Sequence, residues 1–506
     1  MTRVVTTLGI DGIRGSVVAA ECAIMNGLPA FDIVGLPDAA VREARERVRA
    51  AVKACGMKFP VSHITVNLAP ANTRKEGTLY DLPILLGILS ASEAIRPLPE
   101  DSAFIGELSL TGELRAVSGA LPMAAAAVRA GIKRLYLPAA NASEAAFAGD
   151  IEAYPVRDVR QLLACLAGEE EIAPASAPNF RGSMDSLPDF ADVKGHTIIK
   201  RALEVAAAGS HNVLMMGPPG SGKSMLASRL PSILPAMSRE EALEVTEIHS
   251  VAGCTDELAP IVTTRPFRAP HHTISSAGLT GGGTSPRPGE ISLAHGGVLF
   301  LDEFPEFPRT AIEALRQPVE NGSVTISRAS GSCTFPSRFM LVAAMNPCRC
   351  GWYNTDNDRC RCSPADVRRY RSRVSGPVLD RIDVFLWVEA LSYEELSTQA
   401  DGETSAQIRA RVNAAREIQR RRFEGTGIHS NSEMDQAALR EYCSLDPAGT
   451  ELMRRAYTAL EMSARAYDRT LRLARTIADL AASDRITTAH LAEAMSYRNQ
   501  KKGLEG

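Results

Sequence analysis

The sequence predicts an α/β protein built around a nucleotide-binding core, with a separate α/β domain before it and an all-helical block after it. Three observations carry that prediction. Strand-like and helix-like segments alternate through the first 165 residues. A Gly-rich phosphate-loop motif, preceded by an apolar strand and followed by a helix, opens a second α/β block. From about residue 391 onward strand signals vanish and helical periodicity dominates.

In the first block, residues 4–10 and 16–24 read as strands around an Asp11-Gly12 turn. Residues 38–55 read as a helix. Val41, Ala44, Val48, Ala51, Val52 and Cys55 fall on one face, while Arg42, Glu43, Arg45, Glu46, Arg47 and Arg49 lie mostly on the other. Residues 63–69 form a strand, and 82–94 a buried helix entered through Pro83. Residues 104–110 form a strand that starts a hairpin at Thr111-Gly112-Glu113. Residues 121–130 are an Ala-rich helix, 134–138 a strand, and 158–166 a helix ended by Gly168. The stretch 168–186 is acidic, then rich in Pro, Ala and Ser, and reads as a linker. The expected organisation is therefore 1–167, a linker at 168–186, a core at 187–390 and a helical block at 391–506.

At 506 residues the chain has room for about three domains of ordinary size. Apolar residues are 45% and charged residues 23%, which excludes wholesale disorder and a coiled-coil rod. A net charge of −3 excludes a uniformly basic nucleic-acid coat but not a local one: residues 405–506 hold 17 Lys/Arg against 13 Asp/Glu. No run of 18 apolar residues and no signal-type h-region is present, so the expectation is a cytoplasmic protein with no membrane partner. Four of the ten cysteines fall within 348–362.

The segment 213–224, VLMMGPPGSGKS, contains G-x-x-x-x-G-K-S: Gly217, Pro218, Pro219, Gly220, Ser221, Gly222, Lys223 and Ser224. Such a loop turns backbone N–H groups onto phosphate oxygens. Lys223 would neutralise the β- and γ-phosphates of ATP, and Ser224 would ligate Mg²⁺. In 296–304, GGVLFLDEF, a buried strand delivers Asp302 and Glu303 at its C-terminal end, the edge where ligands sit in open α/β sheets. Asp302 would hold Mg²⁺ through water and Glu303 would polarise the attacking water; an acidic N-cap is the alternative. A third strand, 338–347, ends in Asn346, whose amide suits orienting that water; a plain Asn-Pro turn is the alternative.

The order of these motifs resembles an AAA+ ATPase. RPFRAPHHTISSAGLTGGG (265–283), HGGVLFLDEF, VTISRASG (324–331), FMLVAAMNPC and GPVLDRIDVFLWV (376–388) are similar to the magnesium-chelatase-like group, and within it to the YifB/ComM family over nearly the whole chain. The resemblance implies an α/β P-loop AAA+ core with an α-helical lid. It implies that Arg381, in LDRID, is an arginine finger reaching a neighbour's γ-phosphate, although a salt-bridged structural role is open for it. It implies that Arg465 is the lid's sensor-2 residue, with Arg469, Arg472 and Arg475 as competitors on the same helix. Val193 and Gly195 match the adenine-side segment. It also implies a homo-oligomeric ring, a hexamer, whose partner is branched or single-stranded DNA.

Cys348-x-Cys350, nine residues, then Cys360-x-Cys362 suits four thiolates around a structural Zn²⁺, with a metal-free reduced loop as the alternative. Residues 104–144 resemble the proteolytic domain of Lon-type proteases, of the ribosomal-S5-domain-2-like α/β fold. The nucleophile segment RKEGTLYDLPIL (74–85) has no Ser in place, and the base position aligns near Leu121 or Met123, so the domain is expected to be non-proteolytic. Candidate DNA contacts are RPFRAPHH, SPRPGE (285–290), VTISRASG, the run Arg368, Arg369, Arg371 and Arg373, and REIQRRRF (416–423). His271-His272 lacks a third ligand and is not read as a metal site. The expected function is an ATP-driven motor on branched DNA, assisting branch migration in recombination or natural transformation. A chelatase-type motor subunit and a protein-remodelling ATPase without DNA activity are the rivals.

Overall fold

The computed structural model describes residues 2–180, 184, 187–283, 286–328, 331–355, 359–393 and 402–499. Parts of the expected linker, Ser285, the tip of the 324–331 segment and the extreme C-terminus lie outside the described residues.

Alternation of buried and exposed side chains folds the head into two small sheets and a two-stranded hairpin. The long strands Thr2–Asp11 and Arg14–Met25 pair antiparallel, with Asp11 opposite Arg14, so Gly12 sits in the tight turn at a φ of 64°. His63–Ala69 adds to Arg14–Met25 antiparallel, and Ala30–Val34, missed in the sequence, adds to it in parallel. A second, parallel sheet runs Ser102–Phe104, Arg134–Pro138, Glu152–Val156. The expected hairpin after residue 104 is smaller than read: Glu107–Leu108 pairs with Leu114–Arg115. Helix Ala39–Ala54 is capped by Asp38, which accepts the Val41 N–H at 2.8 Å. It buries the five apolar positions Val41, Ala44, Val48, Ala51 and Val52. Helix Asp81–Ala91 is buried on every side, so its lack of amphipathicity is that of a central element.

The expected linker has no helix or strand among its described residues, yet it is anchored. Ile172 is buried in the head's core, Ala175 donates to Ala153, and Phe180 lies 6.1 Å from the Phe147 ring.

The core is a five-stranded parallel sheet in the order Phe267–Arg268, Val298–Leu301, Met340–Met345, Val213–Met216, Val384–Trp387. The three central strands are buried throughout, which is why they read as uninterrupted apolar runs. An antiparallel hairpin, Ser323–Arg328 with Gly331–Pro336, projects from the core. The helical block, chiefly Ser405–Arg422, Pro447–Ala459, Ala464–Leu480 and Thr488–Asn499, shares one hydrophobic cluster with helix Thr197–Gly209 and one face of the sheet.

Head and core meet at an apolar joint in which Leu121 and Phe147 pack on Met237, Ala242, Val245 and Ile261. Glu144 is buried there. It accepts the Leu121 N–H and the Thr255 hydroxyl, and burial raises its pKa. The head's first turn also reaches the core hairpin: a Cβ at Gly12 would lie 2.4 Å from Cys333 Sγ. No helix among the described residues is long and apolar enough to cross a membrane.

Candidate active site

Strand Val213–Met216 is flanked in parallel by Met340–Met345 and Val384–Trp387, so the loop that follows it leaves the sheet at its centre. That loop is shaped by its glycines. A Cβ at Gly217 would lie 2.1 Å from the Val388 carbonyl oxygen, so no other residue fits. Gly220 and Gly222 stand at φ of 77° and 86°, the left-handed region. Helix Lys223–Ser228 follows directly.

Lys223 folds back into the loop. Its ammonium donates to the carbonyls of Gly217 at 2.9 Å and Pro218 at 2.8 Å, and lies 3.3 Å from Ser221 Oγ. Burial lowers its pKa to about 8, partly opposed by the charge of Asp302. The Ser224 hydroxyl donates to Asp302 Oδ2 at 2.6 Å. Two hard oxygen donors thus sit together where a Mg²⁺ ligand pair is expected, a donor set that fits that ion.

Glu303 takes a left-handed backbone, φ 51°, unusual for a residue with a Cβ. Its N–H donates to Asp302 Oδ1 at 2.9 Å. Its carboxylate is 55% exposed and lies 3.1 Å from His272 Nδ1. This pairing was not legible in the sequence, since His272 and Glu303 belong to different loops and no spacing rule joins them. Asn346 follows the strand paired to the phosphate-loop strand, and Gly217 donates to its neighbour Met345 at 3.3 Å. On the other flank, Val193 is buried and its carbonyl accepts Lys200 Nζ. Gly195 stands at φ 58°, and the next residue, His196, brings Nε2 to 3.9 Å from a Cβ built at Gly222. The 193–196 segment therefore adjoins the loop.

Lys223, Ser224, Asp302, Glu303 and Asn346 thus gather at the C-terminal edge of the sheet. Arg381 and Arg465 do not join them. Asn212, at the start of the phosphate-loop strand, donates its side-chain N–H to the Arg381 carbonyl at 3.0 Å and accepts the Asp383 and Val384 N–H groups through its own carbonyl. Arg381 is therefore fixed at the opposite edge, about 10 Å away by the length of a four-residue strand. Its guanidinium is buried and ion-paired to Glu320, and it also donates to the carbonyls of Arg316 at 3.0 Å and Pro377 at 2.6 Å.

The same edge holds the lid helix. Arg469 donates to Asp383 and to the Arg381 carbonyl. Burial works against the charged form of Asp383, but Arg469, with His211 at 3.6 Å, holds that carboxyl far below the usual range. Arg472 bonds the Met434 carbonyl, and Arg475 binds Asp479 and two carbonyls. Of the four arginines on helix Ala464–Leu480, Arg465 alone is exposed and without a partner among the described residues.

The four cysteine sulfurs lie within 4.8 Å of one another. Cys348 and Cys350 are 3.3 Å apart, with Cys360 at 3.8 and 3.6 Å from them. Bonds of about 2.3 Å in a tetrahedron place sulfurs about 3.8 Å apart, so the cluster fits Zn²⁺. Desolvation opposes it, but the Trp352 N–H and the neighbouring Cys348 and Cys362 thiols draw Cys350 down to about 6, while Cys360 and Cys362 shift upward.

Several arginines expected to face DNA are occupied elsewhere. Arg265 binds Glu241 and two carbonyls, and Arg268 forks onto Glu290. Arg371 holds the Pro347 carbonyl, Arg373 pairs with Glu306, Arg416 donates to the Ala207 carbonyl and the Ser210 hydroxyl, and Arg422 binds Asp479. Arg287, Arg368 and Arg369 remain exposed. The partners come from distant segments, which is why the runs looked free.

In the head, Leu121 and Met123 are fully buried apolar side chains. In the 74–85 segment the Lys75 ammonium is spent on Thr73 and Pro70.

Three family models match the chain: "Magnesium chelatase, subunit ChlI" over residues 189–396, "Subunit ChlI of Mg-chelatase" over 20–141 and "Magnesium chelatase, subunit ChlI C-terminal" over 402–498. Competence protein ComM of Haemophilus influenzae is 44% identical over 503 residues, 98% of this chain and 97% of that one. The YifB protein of Escherichia coli K12 is 42% identical over 497 residues, 98% of this chain and 96% of that one. An archaeal Lon protease of Thermococcus kodakarensis is 37% identical over 92 residues, 17% of this chain and 14% of that one. The fold class follows: a P-loop AAA+ core with an α-helical lid, preceded by a Lon-protease-like α/β domain.

Proposed function

We propose, from the premise that this chain belongs to the YifB/ComM family of magnesium-chelatase-like AAA+ proteins, that it is a ring-forming motor that hydrolyses ATP to drive branch migration of DNA. The family supports the ATPase motor role directly. The finer reading has one principal support in the geometry: the phosphate loop with its acidic pair stands at one edge of the sheet, and Arg381, with the lid helix that Arg469 ties beside it, at the other. A single subunit then holds half of two sites, and a ring joins them. Lys223 and the loop amides would hold the phosphates of ATP, Ser224 and Asp302 its Mg²⁺, Val193 and Gly195 its base. Glu303 and Asn346 would orient the attacking water. Arg381 and Arg465 would reach a neighbour's γ-phosphate, where such a guanidinium adds about 10³–10⁵ in rate.

The DNA half of the reading leans on the full-length likeness to competence protein ComM. The head, with apolar residues where Lon chemistry needs a base, serves as a non-proteolytic scaffold and not as a peptidase. The four thiolates hold one structural Zn²⁺, with no open position for catalysis. The experiment is strand displacement from a Holliday junction with ATP. Wild-type protein should release the labelled strand and Glu303→Gln should not. ATP turnover that branched DNA leaves unchanged, with no displacement, would favour a chelatase-type or protein-remodelling motor instead.

A further inference from the structure

We propose that the cysteine knuckle is a wall of the nucleotide site, and that the ion it binds sets the position of the phosphate loop. This rests on the zinc reading above and goes beyond it, because it gives the metal a consequence for ATP.

The observation is a contact between two segments far apart in sequence. Gly351 closes the first knuckle, Cys348-Arg349-Cys350-Gly351, and its N–H donates to the Cys348 carbonyl at 3.0 Å. It is buried and stands at φ 87°. A Cβ at this position would lie 2.6 Å from both Cδ and Cγ of Pro219, in the phosphate loop, and 3.9 Å from Cγ of Asn346. The knuckle backbone is therefore pressed against the loop that would cradle the phosphates and beside the amide that would orient water. Gly351 is required there twice over, for the turn and for the approach.

The knuckle is held from behind. Arg371 donates to the Pro347 carbonyl at 3.0 Å and lies over the Tyr353 ring at 5.4 Å, while Arg359 lies over the Trp352 ring at 5.1 Å. Only Pro347 separates Asn346 from Cys348, the one ligand that is fully buried. A cation that draws four sulfurs together fixes the Gly351 turn, and the turn fixes how far Pro219 can retreat. Without the cation nothing draws the four sulfurs together and the turn loses its brace. Phosphate binding through backbone N–H groups tolerates little displacement, so Gly351 acts as a positioning residue for the loop.

Nucleotide affinity tests this. Full-length protein is measured with a fluorescent ATP analogue, alongside zinc per chain and far-UV circular dichroism. Zinc-stripped wild type that keeps its helical signal should bind the analogue at least tenfold more weakly, and zinc should restore it. Gly351→Ala should retain zinc and weaken binding to a similar degree. In a Pro219→Gly background, which removes the ring the new Cβ meets, the further loss from Gly351→Ala should be much smaller. Equal affinity with and without zinc, or a Gly351→Ala penalty that Pro219→Gly leaves unchanged, overturns the proposal while the zinc reading stands. Well under one zinc per chain in protein purified without chelator overturns the zinc reading, and the proposal with it.

Discussion

The two edges of the five-stranded sheet are built from the same strands and have opposite character. At the C-terminal edge the polar groups sit on loops with bonding capacity to spare: Ser224 is exposed, and Glu303 keeps more than half its surface in water. At the N-terminal edge Asp383, His211 and Arg498 are buried, Arg469 is half-buried, and all four are bound to one another or to the backbone around Asn212. The difference teaches what each edge is for. The first leaves donors and acceptors for a ligand to satisfy. The second has consumed its own and is a stiff platform, from which Arg465 projects and on which Arg381 is held by Glu320.

Glu303→Gln strikes the open edge hardest. Loss of a positioned carboxylate should cut kcat for ATP by about 10²–10⁴ while ATP affinity hardly changes; a steady-state assay with a binding titration reads both. Next comes the platform. Asp383→Ala removes the buried carboxylate that holds half-buried Arg469 and should cost about 3–5 kcal/mol of stability, read as a lower urea midpoint. The same substitution at half-exposed Glu417, which pairs with Arg420 and Arg421 among the described residues, should move that midpoint far less.

A smaller effect is in pH. Lys223 in the nucleotide-free site has a pKa lowered to about 8. Below pH 8 it is already cationic and affinity should be flat. Above pH 8 binding must take up a proton, so affinity should weaken as pH rises, by up to about tenfold per unit. Calorimetry between pH 7 and 9 in buffers of different ionisation enthalpy would detect that proton. The smallest expected effect is His272→Ala, which removes one hydrogen bond to Glu303 and should lower kcat by less than about tenfold with affinity unchanged.

The nucleotide edge was readable in advance because its signals are contiguous. The loop from Gly217 to Ser224, the apolar strand before Asp302 and the one before Asn346 each announce themselves within a dozen residues. Strand Val384–Trp387 is only four residues long and Phe267–Arg268 is too short to carry any periodicity. Long-range partnerships were invisible: Glu320 on Arg381, Glu290 on Arg268, Asp479 on Arg422 and Gly351 on Pro219 join segments that only the fold brings together. The same reason explains the basic runs, which look like free charge until their carboxylate and carbonyl partners are seen. Composition marks 168–186 as a connecting stretch but does not show that Ile172 is buried in the head's core.

The claim that the two edges complete each other across neighbouring subunits is tested most directly by mixing Lys223→Ala with Arg381→Ala protein. Each alone should be inactive. If the arginine acts on the next subunit's nucleotide, some interfaces of a mixed ring regain an intact loop facing an intact arginine, and ATP hydrolysis should partly return, rising toward equal proportions. No recovery at any ratio, with co-assembly of the two variants demonstrated in the same samples, would contradict it.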